Sequence, residues 1–186
     1  TFAPADRARD RWLQRTISGA SGHLAQLRDR VIEGARLQRH HVVLDLRAGT
    51  GLLTWEAVRR APEGGVWALT PDAQAAEGLR QQAGRLDELD RPQVLVGAIE
   101  DLPELLHARG QETLRFDAIL GRNLWTQATS GERSRIARLL AGILAPGGRV
   151  SVAQTVPQHT QRIYRLVDLD PLPGDLAERI VSAEEA

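Results

Sequence analysis

A run of branched and aliphatic residues, Val42, Val43, Leu44 and Leu46, carries an acid at Asp45 and ends on Gly49-Thr50-Gly51. That order of residue types suits one kind of chemistry. A short apolar run fits a strand buried on both faces, and the glycines let backbone amides approach a ligand closely. Leu52 then opens a helical stretch with Leu53, Ala57 and Val58 on one side. The unpaired N–H groups at a helix start favour an anionic part of a ligand. Strand, acid, glycine turn and helix together make a cradle for a nucleoside.

Spacing separates two kinds of nucleoside cofactor. The dinucleotide fingerprint requires G-x-G-x-x-G, and Thr54 stands where the third glycine belongs. Thr70 likewise stands where a nicotinamide enzyme places its ribose-binding acid, so that reading loses support. The segment instead resembles motif I of the class I S-adenosylmethionine-dependent methyltransferases, a D-x-G-x-G-x-G strand-to-turn signature carried here by Asp45, Gly49 and Gly51. The resemblance continues in order through a strand at Val66 to Leu69, VLVGAIEDLP from Val94 to Pro103, FDAILGRNLW from Phe116 to Trp125 and ILAPGGRVSV from Ile143 to Val152. In that family an L-x-P-G-G element, here Leu144, Pro146, Gly147 and Gly148, ends a helix and starts a central strand. The resemblance implies an α/β Rossmann-like sheet, S-adenosylmethionine as cofactor, and a methyl acceptor that the sequence does not name.

It also implies where the cofactor would sit: at Asp45, Ala48, Gly49 and Gly51, at the ends of the second and third strands, including Ile99, and at Asn123 beneath the transferring methyl group. Three positions depart from the family pattern. Arg47 replaces the first glycine of motif I, where its side chain either crowds the pocket or pairs with the cofactor's carboxylate. Thr70 aligns with the acid that binds the ribose hydroxyls but reads as a helix N-cap, with Asp72 one turn on as a substitute. Ala98 aligns with the acid that accepts from the adenine amino group, and Glu100 and Asp101 are the nearby alternatives. A hydrogen bond to a charged group contributes about 1.5–3 kcal/mol, so losing two without replacement weakens binding by roughly a hundredfold to ten-thousandfold. Two outcomes are therefore expected as alternatives: contacts rewired through Arg47, Asp72 and Glu100, or a degenerate domain that keeps the fold and has lost the reaction.

No catalytic residue is singled out, because in-line methyl transfer from an activated sulfonium chiefly needs positioning. Asn123 is followed by Leu124-Trp125-Thr126, so the N-P-P-Y motif of adenine methylation is not present, and Trp125 reads as core. His40, His41 and His159 lack the spacing of a metal site and read as loop residues.

The elements that must position these residues alternate along the chain. Residues 6–18 and 22–37 read as two N-terminal helices, the second capped by Ser21 and striped with Leu24, Leu27, Val31 and Ala35; Trp12 on the first belongs either to a lid or to the core. A strand at Val66 to Leu69 leads through Thr70 as N-cap and Pro71 at the first helical position into a helix carrying Ala76, Leu79, Ala83 and Leu86. Further strands are expected at about 93–97, 116–121 and 149–155, with a helix from Ser130 to Leu144 facing inward through Ile136, Leu139, Leu140 and Ile143. Such alternation implies a mostly parallel sheet with helices on both faces and ligands beyond the carboxyl ends of the strands. Residues 158–186 read as helix broken by Pro171 and Pro173, so the two strands that complete the family's sheet are expected either to lie beyond this fragment or to be absent, with the edge covered by something else. The organisation expected is one domain over 1–186, a helical extension at 1–40 before a core at 41–186.

Composition narrows the classes. With 186 residues and 42% hydrophobic content the chain can build one substantial core. It has no cysteine, which removes thiolate chemistry and disulfides, and no lysine, which removes a P-loop lysine and a Schiff-base amine. Lacking a long apolar stretch and a leader-like start at Thr1, it reads as a soluble cytoplasmic protein without a membrane partner. Residues 1–41 carry eight arginines against four acids, a patch that reads either as a solvated helical face or as a contact for nucleic acid. The start at Thr1 suggests a larger parent. The N-terminal helices and altered motif I resemble the methyltransferase-like domain fused behind replication-associated recombination AAA ATPases in some bacteria, which implies an accessory role in DNA maintenance as the alternative to a free-standing methyltransferase.

Overall fold

Branched and aliphatic runs of four to seven residues, each followed by a helical stretch, fold into parallel strands joined by crossover helices. The computed structural model describes residues 22–125, 128–155 and 172–185. Helix α1 spans Gly22–Ala35, strand β1 Val42–Leu46, α2 Leu52–Arg60, β2 Gly65–Thr70 and α3 Ala73–Ala83. Then come β3 at Gln93–Val96, α4 at Leu102–His107, β4 at Phe116–Arg122, α5 at Ser130–Ile143 and β5 at Leu144–Ala153. The five strands form one parallel sheet in the order β3-β2-β1-β4-β5, the Rossmann-like α/β arrangement expected from the sequence. The chain falls into two units, 1–153 and 154–186, and within the second the helix α6 spans Gly174–Glu185.

Each strand splits its side chains between two cores because consecutive residues point to opposite faces. Val43 of β1 joins Val31, Ile32 and Ala35 of α1 and the apolar face of α2 and α3 on one side. Leu44 and Leu46 join Leu102 and Leu106 of α4 and Ile136 and Leu140 of α5 on the other. Leu139 and Ile143 are only partly buried against that second core. Trp67 and Phe116 meet edge to face there at 6.4 Å between ring centroids. A buried charge cluster supports α2: Glu56 accepts from both Arg59 and Arg60, and although burial raises its carboxyl, the two guanidiniums win and hold it below the usual range.

Several boundaries differ from the sequence reading. Thr70 is not an N-cap: it pairs with Val96 as the last residue of β2, and its hydroxyl accepts from the Asp72 amide at 3.3 Å. Asp72 caps α3 instead, accepting from the Gln74 amide at 2.8 Å, because the ladder holds the backbone extended through Thr70. Strand β5 begins at Leu144 rather than near 149. Phe116 pairs with Leu144 and Ala118 with Arg149, so the L-x-P-G-G element bulges within the strand instead of preceding it. The helix expected at 6–18, Trp12, Ser21 and His159 lie outside the described residues. Among the described residues no helix is long and apolar enough to cross a membrane, and no group of three or more metal-ligating side chains occurs.

Phe116 is fully buried on the central strand pair, so Phe116→Ala should cost about 3–5 kcal/mol. Urea unfolding monitored by circular dichroism measures this, and a loss under 1 kcal/mol would show that the second core does not depend on it.

Candidate functional site

The order of the sheet reverses at β1, whose neighbours β2 and β4 leave it on opposite sides, and a crevice opens at the carboxyl ends of such strands. A cleft of about 210 Å³ occupies this end. Arg47 closes it from the end of β1, Leu69 and Pro71 from the end of β2, and Gly97 to Glu100 from the turn after β3. The remaining wall comes from Leu124 and Ala128 after β4 and from Glu132 and Ile136 on α5.

The turn after β1 is tied into the fold through Asp45 and two of its amides. Asp45 points to the α2 side, 1% exposed, and its carboxylate accepts from the Thr54 hydroxyl at 2.6 Å. Burial pushes its carboxyl up to about 7, with the Thr54 hydroxyl and amide and the Arg122 charge offsetting part of that rise. The Ala48 amide donates to the Leu69 carbonyl and the Gly51 amide to the Ala48 carbonyl, both at 2.8 Å. Gly51 has φ 88°, and a β-carbon there would lie 2.3 Å from the Trp55 indole nitrogen and 2.8 Å from Leu79. Glycine is thus required at that position by Trp55 and by the left-handed turn, independently of any ligand.

Arg47 and Asn123 end adjacent strands, and both are non-glycine residues in left-handed conformation, at φ 58° and 54°. The Arg47 Nη1 donates to the Asn123 carbonyl at 3.3 Å, while the Asn123 amide donates to the Ala153 carbonyl at 2.8 Å.

Of the residues expected at a cofactor site, the structure brings together Arg47, Ala98, Ile99 and Glu100 on the cleft, with Asn123 joined to it through Arg47. Asp45, Ala48, Gly49, Gly51, Thr70 and Asp72 do not line it. Asp72 is engaged as an N-cap, and Asp101 accepts from the Ala98 amide at 2.8 Å. Glu100 is left as the exposed acid of the turn after β3. The sequence reading missed Glu132. Its signal was legible as a capping box: the Thr129 hydroxyl and amide donate to its carboxylate, both at 2.7 Å, and hold it below the usual range. Leu69 was signalled as the end of the second strand, whereas Pro71, Leu124, Ala128 and Ile136 reach the cleft through tertiary packing that no local pattern places there.

No protein-family model matches the chain, and no curated protein matches it. Solved structures do. A coclaurine N-methyltransferase bound to N-methylheliamine and SAH superposes with a TM-score of 0.56 at 20% identity, over 69% of this chain and 34% of its own. The fold is the Rossmann-like methyltransferase fold. A mycolic acid cyclopropane synthase complexed with SAH and CTAB gives 0.58 at 19% identity, over 73% of this chain and 44% of its own. The precorrin-6y C5,15-methyltransferase of Geobacter metallireducens gives 0.54 at 18% identity, over 87% and 71%. This methyltransferase-fold chain spans about a third of the coclaurine enzyme and under half of the synthase.

Asp45 gives the fold a pH signature. Its usual value is 3.8, so between that pH and about 7 the unfolded chain sheds its proton while the folded chain keeps it. Its contribution to stability falls across this window and levels off above it. Asp45→Asn, which does not ionise, should gain up to roughly 4 kcal/mol on the parent chain between pH 4 and pH 8. Chemical denaturation at each pH measures the difference, and a constant gap would show that Asp45 titrates normally.

Proposed function

We propose that this chain is the S-adenosylmethionine-binding unit of a methyltransferase, with the adenosyl group in the cleft at the ends of β1 to β4 and the acceptor approaching past Asn123. The observation that supports this reading is the cleft's place and lining: Leu69, Pro71, Ile99 and Leu124 supply apolar walls for a base, beside the acid Glu100. The group fits in part. Drug-sized ligands occupy about 300–1,000 Å³, so a cleft of about 210 Å³ takes the base and sugar, and the remaining tail must reach toward Arg47.

Bound there, the cofactor supplies an electrophilic methyl group on a sulfonium. The chain's own part is to bind, orient and exclude water. Glu100 accepts hydroxyl hydrogens in place of the acid absent at Thr70; the carbonyl of Asn123, at the end of β4, faces the same region as Arg47. Acceleration then comes from alignment of donor and acceptor.

A second reading, a domain that binds a nucleoside without transferring methyl, draws on the Arg47 to Asn123 hydrogen bond, which links β1 to β4 where a donor group would pass. It would suit an accessory role in a larger ATPase or DNA-maintenance protein, for which an upstream module with a Walker lysine in the full reading frame is the check.

Calorimetric titration of the chain should show saturable micromolar binding of S-adenosylmethionine and S-adenosylhomocysteine, with NAD much weaker. Glu100→Ala should weaken both adenosyl ligands by about tenfold. Absence of binding, or NAD binding as tightly, would overturn the proposal.

A further inference from the structure

We propose that Arg47 is the specificity-determining residue of the cleft, an anion anchor that selects adenosyl ligands bearing a carboxylate; this rests on the cleft's taking an adenosyl group. Arg47 is the one cation among the described residues that line the cleft. A guanidinium presents five N–H donors in a planar fork. The hydrogen bond it makes here is a long one, Nη1 to the Asn123 carbonyl at 3.3 Å, beyond the usual upper end of about 3.2 Å. Among the described residues no ion pair includes it. Such a guanidinium is positioned, hydrated and replaceable at its partner, which is what a docking site for a bidentate anion requires.

Its placement carries the argument further. The backbone of Arg47 is left-handed at φ 58°, a conformation in which a β-carbon is disfavoured and glycine is at ease. An arginine persists there although nothing in the packing of the turn needs its side chain, since residue 47 is exposed and Ala48 and Gly51 complete the turn by themselves. Two amides of the turn already bond within the protein, Ala48 to Leu69 and Gly51 to Ala48. The Arg47 side chain is the charged donor that the cleft's lining offers to the anionic end of a ligand. The cleft is also lined by Glu100, after β3, and by Glu132, on the helix after β4, the second with its carboxylate held by Thr129. A doubly charged phosphate in a cleft lined by two carboxylates is repelled more strongly than a singly charged carboxylate, which favours an amino-acid tail over a nucleotide.

Three ligands separate these chemistries: S-adenosylhomocysteine carries the carboxylate, 5′-methylthioadenosine lacks it, and adenosine monophosphate replaces it with phosphate. Their dissociation constants are measured by calorimetry on the parent chain, on Arg47→Gly, whose backbone suits φ 58°, and on Arg47→Lys, which keeps the charge without the fork. The parent should bind S-adenosylhomocysteine at least about tenfold more tightly than methylthioadenosine. In Arg47→Gly the ratio should fall below roughly threefold through loss of S-adenosylhomocysteine affinity, with Arg47→Lys between the two. A parent that binds the two alike, a ratio that survives in Arg47→Gly, or tighter binding of adenosine monophosphate would each overturn the anchor and leave the proposed function standing. Tighter binding of every ligand to Arg47→Gly would make Arg47 a plug, which also overturns it. If none of the three binds to either the parent or Arg47→Gly, the proposed function fails and the anchor with it.

Discussion

The rest of the structure depends on how the central strand carries an acid through a dry sheet. Strand β1 is hydrogen-bonded on both sides, and Val43, Leu44 and Leu46 are completely buried. Asp45 stands among them, where an ionised carboxylate without partners is prohibitively costly. Two devices offset that cost: the Thr54 hydroxyl donates to it across nine residues, and burial lets it hold a proton far above the usual carboxylate range. The Thr54 bond pins α2 against β1. With α2 pinned, Trp55 is driven into the space beside Gly51, and the turn has room for nothing larger than glycine. The acid and the glycine that look like ligand-binding features are therefore also the clasp that closes the first β-α unit.

The charged side chains that line the cleft come from different elements. Arg47 comes from β1, Glu100 from the turn after β3, and Glu132 from the first turn of α5. These three stand on different mechanical footings. Glu132 is locked by its capping box, Glu100 lies within a turn closed by the Asp101 bond to Ala98, and Arg47 is held by a single long bond from a left-handed backbone.

The strands and the parallel, helix-flanked sheet were legible because short apolar runs alternating with helical stripes leave few arrangements; the order β3-β2-β1-β4-β5 is set by the strand pairing. Val43 and Leu44 already sort to opposite faces in the sequence, and the two cores follow from that alternation. Local boundaries were harder. Thr70-Pro71-Asp72 offers two residues able to cap α3, and only the pairing of Thr70 with Val96 decides for Asp72. The bulge in β5 was hidden because Pro146 and Gly147 read as a turn before a strand, whereas Leu144 already pairs with Phe116. Arg47, Ala98, Ile99 and Glu100, named through the resemblance to the methyltransferase motifs, line the cleft, whereas Asp45, Ala48, Gly49, Gly51, Thr70 and Asp72, named the same way, do not. The positions of Leu124, Ala128 and Ile136 depend on how α5 packs, which no local pattern encodes.

The three departures from the methyltransferase pattern act as one electrostatic change. Relative to that pattern the cleft gains a positive charge at Arg47 and loses the negative ones that Thr70 and Ala98 replace, so the field at the sheet end turns toward anions. Glu100 and Glu132 also line the cleft, so part of the negative charge is kept on other elements. Under the proposed function, a ligand with an anionic tail and a hydroxyl-bearing sugar would match both the guanidinium and the carboxylates. The fold alone does not dictate that pairing; it follows from which side chains this chain places at the ends of β1 and β3 and on the first turn of α5.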